Sequence, residues 1–211
     1  GFSVINPKHK KDMAILWSNL DLIVMFPLIE SIFLQLIHAG GLIQENRYKR
    51  RAIAPSETEL LGKMLPHYYG QGKFPVPMKI SKQQIKETVT NFGLAAKNAI
   101  EAGFDGIEIH GANGYLLDQF LTVFSNQRDD EYGGIIDNRI RFHCEVLQSV
   151  LDVTNGKIPV GMRISQTKVN NFEYEWPGGE EDASFIFNKM KSLGPSYIHI
   201  STHKGLEPVW Q

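Results

Sequence analysis

SKQQIKETVTNFGLAAKNAIEAGFDGIEIH, residues 81–110, is the stretch whose reading decides the fold. Ser81 followed three residues later by Gln84 is a capping-box pattern, in which each side chain satisfies a backbone N–H that the helix start leaves open. Ile85, Val89, Phe92, Ala96, Ala99 and Ile100 then recur at the spacing of one helix face. Gly103 supplies the stop, since a left-handed conformation costs glycine little. After Phe104 the period changes to two: in Gly106-Ile107-Glu108-Ile109-His110 the two isoleucines share one face, and Glu108 and His110 share the other.

Outward from this unit the alternation repeats. Ile32-Phe33-Leu34-Gln35-Leu36-Ile37-His38, ended by Ala39-Gly40-Gly41, reads as a buried strand. Residues 42–79 hold Pro55, Pro66, Pro75 and Pro77 and read mainly as a long loop, which inside a domain is usually functional or mobile. Ile140, Cys144, Leu147 and Leu151 form a helical stripe, and Pro159 to Ser165 follows as a strand. Glu180-Glu181-Asp182 leads into a helix with Phe185, Ile186, Met190 and Leu193 that Gly194 closes, and Ser196 to Ser201 is the last strand. Strand–helix alternation predicts parallel strands with crossover helices, hence an α/β class. A complete eight-stranded barrel needs about 250 residues and only about four strong strands are visible. The 211 residues are therefore expected to form one domain, 1–211, that is part of a barrel or a small open sheet.

Composition limits the function. With 22 Lys+Arg against 23 Asp+Glu the net charge is -1, without the basic excess of a general nucleic-acid binder. An apolar content of 42% argues against a disordered chain. Cys144 is the single cysteine, which excludes an internal disulfide or a multi-cysteine zinc site and fits a reducing, cytoplasmic setting. The most apolar segment, Leu20 to His38, is broken by Asp21, Pro27 and Glu30, so no membrane span is expected. The opening Gly1-Phe2-Ser3-Val4 lacks the charged region of a signal peptide. The expected partner is a small molecule, and a homo-oligomer is compatible with the composition.

Polar residues gather at the carboxyl ends of the strands: Gln35 and His38, His110 and Asn113, Arg163 and Ser165, Ser201 and His203. Parallel α/β folds build their sites on that edge. The densest segment is Glu108-Ile-His-Gly-Ala-Asn-Gly-Tyr115. His110 and Asn113 can both donate hydrogen bonds, and two donors aimed at one carbonyl oxygen stabilise negative charge developing there. The Tyr115 phenol, two residues on, can deliver a proton. Donor, donor and acid form a set suited to reducing a double bond conjugated to a carbonyl. The competing structural reading is that Tyr115 packs and His110 bonds to the backbone.

Residues 102–142 carry a longer pattern: Ala-Gly-Phe-Asp-Gly-Ile-Glu-Ile-His-Gly-Ala-Asn-Gly-Tyr-Leu-Leu-Asp-Gln-Phe-Leu, then Ser125-Asn126-Gln-Arg128, Asp130-Glu-Tyr132-Gly-Gly, Asn138-Arg139 and Phe142. This pattern closely resembles the Old Yellow Enzyme family, FMN-dependent NAD(P)H oxidoreductases on a TIM barrel. Gln35-Leu-Ile-His-Ala-Gly40 resembles the family's third-strand motif, and Val160-Gly-Met-Arg163-Ile-Ser its fifth. The resemblance implies that Gln35 and Arg163 hydrogen-bond the flavin pyrimidine edge and that His38 is a third cofactor-binding residue. It implies that His110 and Asn113 bind the substrate carbonyl oxygen, as in the family's His-Asn branch, and that Tyr115 gives a proton to the substrate α carbon. The implied reaction has two halves: NADH or NADPH reduces FMN, and hydride then passes from flavin N5 to the β carbon of an electron-poor alkene such as an enone.

Two departures stand out. Gly41 occupies the place where the third-strand motif usually has Arg, which is expected to loosen the adjacent loop. The family's first strand would precede residue 1 and its phosphate-binding strands would follow Gln211; Lys204-Gly205 is a weak substitute for them. One alternative reading is therefore a truncated, non-catalytic barrel fragment that does not bind FMN. A second is a metal-dependent TIM-barrel hydrolase with His38, Glu108, His110 and His199 as ligands, although no His-x-His pair ends an early strand. The basic run Lys49-Arg50-Arg51 reads as a solvated loop, Asp129-Asp130-Glu131 as a polar turn, and Cys144 as a packed thiol.

Overall fold

The structure, a computed structural model, describes residues 31–45 and 51–203. Its centre is the 81–110 unit. Ser81 Oγ accepts the backbone N–H of Gln84 at 3.2 Å, and Gln84 Oε1 accepts that of Ser81 at 2.9 Å. That reciprocal cap starts α1, Lys82–Glu101, whose inner side is Ile85, Phe92, Ala96 and Ala99. Gly103, at φ 84, turns the chain into the strand Gly106–His110.

Six strands and four α-helices are described. In chain order they are β1 Phe33–Leu36, β2 Ile53–Ala54, β3 Met78–Lys79, α1, β4 Gly106–His110, α2 Leu116–Leu121, α3 Ile136–Thr154, β5 Val160–Ile164, α4 Gly179–Lys191 and β6 Tyr197–Ile200. The main sheet has the order β1-β4-β5-β6, and every pair is parallel. Strands adjacent in this order are joined by α1, α3 and α4, the crossover arrangement expected of an α/β arc.

The period-two pattern gives the sheet two unlike faces. Leu36, Ile107, Ile109, Val160, Met162 and Ile164 point to the helices and form the core with Ile85, Phe92, Phe142 and Leu147. Each such side chain contributes about 1.5–3 kcal/mol by leaving water. The other face carries Phe33 and Gln35, Glu108 and His110, Gly161 and Arg163, and Tyr197 and His199. It has aromatic rings at the amino ends and polar groups towards the carboxyl ends. Gly106 and Gly161 are required there: a Cβ on Gly106 would lie 2.5 Å from the Phe33 ring, and one on Gly161 would strike the Tyr197 ring.

Two expectations change in detail. The first strand is shorter than 32–38, because past Leu36 the backbone turns into a 3-10 segment, Gly40–Leu42, and the His38 carbonyl accepts the N–H of Leu116 at 2.9 Å. Residues 42–79 are not only loop. β2 and β3 pair in parallel, Pro66–Tyr68 forms a 3-10 turn, and Lys63 bridges Lys73 in antiparallel fashion. Pairing two residues long leaves no periodic trace in a sequence. The buried Arg128 anchors this region, donating from Nη1 to the carbonyls of Pro55 and Ile80 at 3.0 and 2.8 Å while Asp130 holds its other edge. Cys144 is half-buried on α3, and burial pushes its thiol up to about 11.

Candidate active site

β4 and the turn after it assemble most of the site. His110, the last residue of β4, is 4% exposed. Its Nδ1 accepts the backbone N–H of Ala112 at 3.3 Å. Burial, helped by the Arg163 charge, pushes the ring down to about 4, so it is neutral at pH 7. With Nδ1 accepting, the proton is on Nε2, and His110 is a neutral donor.

Asn113 follows in a left-handed conformation, φ 61, which asparagine tolerates better than most residues. Its backbone N–H donates to Ser165 Oγ at 2.7 Å, and its carbonyl accepts from Val169 N–H at 3.2 Å, so the turn after β4 is stitched to the segment after β5. On the side-chain side, Arg163 Nη2 donates to Ser201 Oγ at 2.9 Å, and Ser201 Oγ donates onward to Asn113 Oδ1 at 3.4 Å. A side chain whose oxygen is used this way presents its NH2 as donor. Three strand ends thereby orient one amide.

Tyr115 is the residue before α2. Its ring meets that of His110 edge-on, with centroids 4.9 Å apart. Burial and the neighbouring Tyr68 push its phenol up, so it keeps its proton at neutral pH. Tyr115 also lines a cavity of about 500 Å³ with Ile37, Leu42, Leu65, Tyr68 and Phe74. That size suits a small organic ligand, and its walls are mostly apolar.

The expected residues divide as follows. His110, Asn113, Arg163, Ser165 and Ser201 converge. Gln35 joins the same face through Glu108, donating from Nε2 to Oε1 at 2.6 Å. His38 is 8% exposed and pushed by burial down to about 4, and its Nδ1 accepts the Gly40 N–H at 3.0 Å. His203 stacks on Phe172 with centroids 4.1 Å apart. Lys204, Gly205 and the 47–50 part of the basic run lie outside the described residues. Among the described residues, no group of three or more His, Cys, Asp or Glu is arranged to hold a metal ion.

Gly41, expected to loosen the adjacent loop, is itself tightly packed, while residues 46–50 of that loop lie outside the described residues. Gly41 is buried, its N–H donates to Gln119 Oε1 at 3.0 Å, and Leu60 sits where a side chain at 41 would begin. The absence of a side chain at 41 leaves the space that Leu60 fills.

Sequence reading missed a buried ion pair behind the site. Lys168 Nζ lies 2.7 Å from Asp118 Oδ1, with side chains 3% and 0% exposed. Asp118 Oδ2 also accepts the N–H of Gly114 at 2.7 Å. Burial pushes the acid up and the base down, and their mutual attraction works against both shifts. His143 was also missed: fully buried on α3, its ring Nε2 bonds the Gly111 carbonyl at 3.0 Å. For His143 the available signal was a ring at a position that the Ile140–Leu147 stripe predicts to be inward; Lys168, in the loop after β5, offered none.

The sequence profile of the NADH:flavin oxidoreductase / NADH oxidase family matches residues 30–195. The chain belongs to that family. Within this flavin oxidoreductase family it is 50% identical over 119 residues to a probable flavin mononucleotide-dependent alkene reductase of Leishmania infantum, covering 54% of this chain and 32% of that protein. It is 36% identical over 200 residues to putative 12-oxophytodienoate reductase 11 of Oryza sativa subsp. japonica, covering 90% of this chain and 54% of that one. The old yellow enzyme homologue of Zymomonas mobilis superposes with a TM-score of 0.79 at 27% identity, over 93% of this chain and 53% of that one. The four-strand arc is thus part of a TIM barrel, and this chain spans between about a third and three-fifths of the length of the curated relatives it matches. Among the described residues no helix is long and apolar enough to cross a membrane.

The donor set fits the pyrimidine side of an FMN. Arg163 Nε is buried without a hydrogen-bond partner, and Gln35 is exposed on the same face. A flavin offers carbonyl oxygens to such a cation, whose charge favours the reduced, anionic form.

Proposed function

We propose that the chain carries the site of an FMN-dependent NAD(P)H oxidoreductase that reduces the C=C bond of α,β-unsaturated carbonyl compounds. The observation that carries this reading is the grouping of a neutral His110 Nε2–H, the Asn113 amide donor and a protonated Tyr115 within one strand-end turn. His110 and Asn113 bind the substrate carbonyl oxygen and stabilise the negative charge that develops there. Tyr115 gives its phenolic proton to the α carbon and is reprotonated from solvent through the adjoining cavity. Arg163, Gln35 and His38 hold the cofactor, the His38 ring being fixed by the Gly40 N–H on its Nδ1. When bound, FMN supplies the hydride that the β carbon receives, after being reduced by NADH or NADPH. The 12-oxophytodienoate reductases and the alkene reductase among its relatives point to enones as the substrate class.

The test is a visible absorption spectrum of the purified chain, mixed with FMN and dialysed. A retained flavin band near about 450 nm that NADH or NADPH bleaches, and that 2-cyclohexenone restores without oxygen, is the expected result. A folded, colourless chain that takes up no FMN would overturn this reading and favour a non-catalytic barrel segment.

A further inference from the structure

The inner face of the sheet carries a carboxylate that this chemistry does not use. Glu108 lies on β4, directly opposite Gln35 of β1. Its Oε1 accepts the Gln35 Nε2–H at 2.6 Å, and its Oε2 meets His199 Nδ1 at 2.8 Å and accepts the Tyr197 hydroxyl at 3.4 Å. Burial raises this carboxyl, but the bonds from His199 and Gln35 and the Arg163 charge outweigh it, and the net direction is down. An ionised carboxylate only accepts hydrogen bonds. Gln35 can therefore face it only with its NH2, because the reversed amide would set one oxygen against another. Gln35 Oε1 is left as an acceptor on an exposed residue, while Arg163 contributes N–H donors, one of them unpartnered.

We propose that Glu108, backed by His199, is the positioning residue that holds the Gln35 amide with its carbonyl outward, so that the sheet face presents an acceptor from Gln35 and donors from Arg163 to an imide edge. The inference rests on the flavin reading, since the pyrimidine edge of a flavin is such an imide, an N–H between two carbonyls. A neutral side chain at 108 releases the amide to either orientation and removes a counter-charge beside Arg163.

Binding of lumiflavin and of 3-methyllumiflavin, which lacks the imide N–H, tests this. The unmodified chain is expected to bind lumiflavin about tenfold more tightly than its methylated analogue, the worth of one good hydrogen bond. Glu108→Gln is expected to bind the two alike. A variant that keeps the preference, with both affinities lowered together, would overturn the proposal, as would an unmodified chain that binds both equally. Should the unmodified chain bind neither, the flavin reading fails, and the Gln35 side-chain amide resonances decide the positioning role. Assigned by their loss in Gln35→Leu, they should include one proton shifted downfield by the carboxylate and returned upfield in Glu108→Gln. Resonances unmoved by that substitution would overturn it.

Discussion

Replacing Lys168 by Met removes one half of a buried ion pair and leaves the other half in place. Asp118 is 0% exposed, its Oδ1 is 2.7 Å from Lys168 Nζ, and the partner that remains is the Gly114 N–H on Oδ2. Lys168 also reaches the Ser165 carbonyl at 3.3 Å and lies 4.8 Å from the centre of the Tyr174 ring. Breaking a buried pair from one side typically costs about 3–5 kcal/mol, because an uncompensated charge stays buried. With a urea slope near 2.5 kcal/mol/M, that lowers the unfolding midpoint by roughly 1–2 M at pH 7. The sign with pH follows from Asp118. Burial already raises its carboxyl, and losing Lys168 raises it further. The folded state then holds the proton more tightly than the unfolded state. The deficit relative to the parent is full above the raised value and shrinks as pH falls towards about 3.9. Adding Asp118→Asn removes the stranded charge while keeping an oxygen for Gly114 N–H, so the double variant regains most of the loss. Urea unfolding of the parent, the single and the double variant at pH 7 and pH 5 measures all of this. A single-variant midpoint within about 0.2 M of the parent, the range of an ordinary surface change, would refute the reasoning, as would a double variant no better than the single.

Three further outcomes are expected. Tyr115→Phe slows alkene reduction by about 10²–10⁴-fold while flavin reduction by the nicotinamide keeps its rate, and rapid-mixing absorbance that shows equal loss of both would remove Tyr115 as proton donor. His110→Ala weakens binding of a phenolic ligand by about tenfold, the worth of one donor, and since the ring is pushed down to about 4 the parent's affinity stays flat between pH 6 and pH 8; unchanged affinity in the variant would count against the carbonyl site. His38, His110 and His143 are each lowered to about 4 by burial, so the unfolded chain binds more protons below about 6.5. Their stabilisation is complete above that pH and is lost as pH falls towards 4, roughly 1–2 kcal/mol per ring between pH 7 and pH 5. His143→Gln should flatten that pH slope by about a third, read from urea midpoints across the range, and an unaltered slope would exclude His143 as a source.

The local chemistry of this chain was legible wherever one residue's neighbours in sequence are also its neighbours in space. The Ser81–Gln84 cap, the Gly103 stop and the switch from helical to alternating period at Phe104 are interactions within a few residues, and the structure reproduces them. Parallel strand order came from the same local periods, because a strand, a helix and a strand have few ways to pack. Strand-end clustering of His110, Asn113, Arg163 and Ser201 was legible from topology alone, since parallel strands bring their carboxyl ends to one edge.

Other features were decided at distances of thirty residues or more along the chain. Lys168 and Asp118 are polar residues in unremarkable positions until folding buries them against each other. Gln35 and Glu108, seventy-three residues apart, become partners because β1 and β4 pair in one particular register. His203 shares the composition of a site residue, yet its ring goes to Phe172. By itself the sequence determined the four strands of the main sheet, the three long helices between them and which edge carries the chemistry, because capping, periodicity and turn preference act locally. Only the tertiary structure decided which donor remains free, which charge is compensated and which way each amide faces, because those depend on strand register and burial.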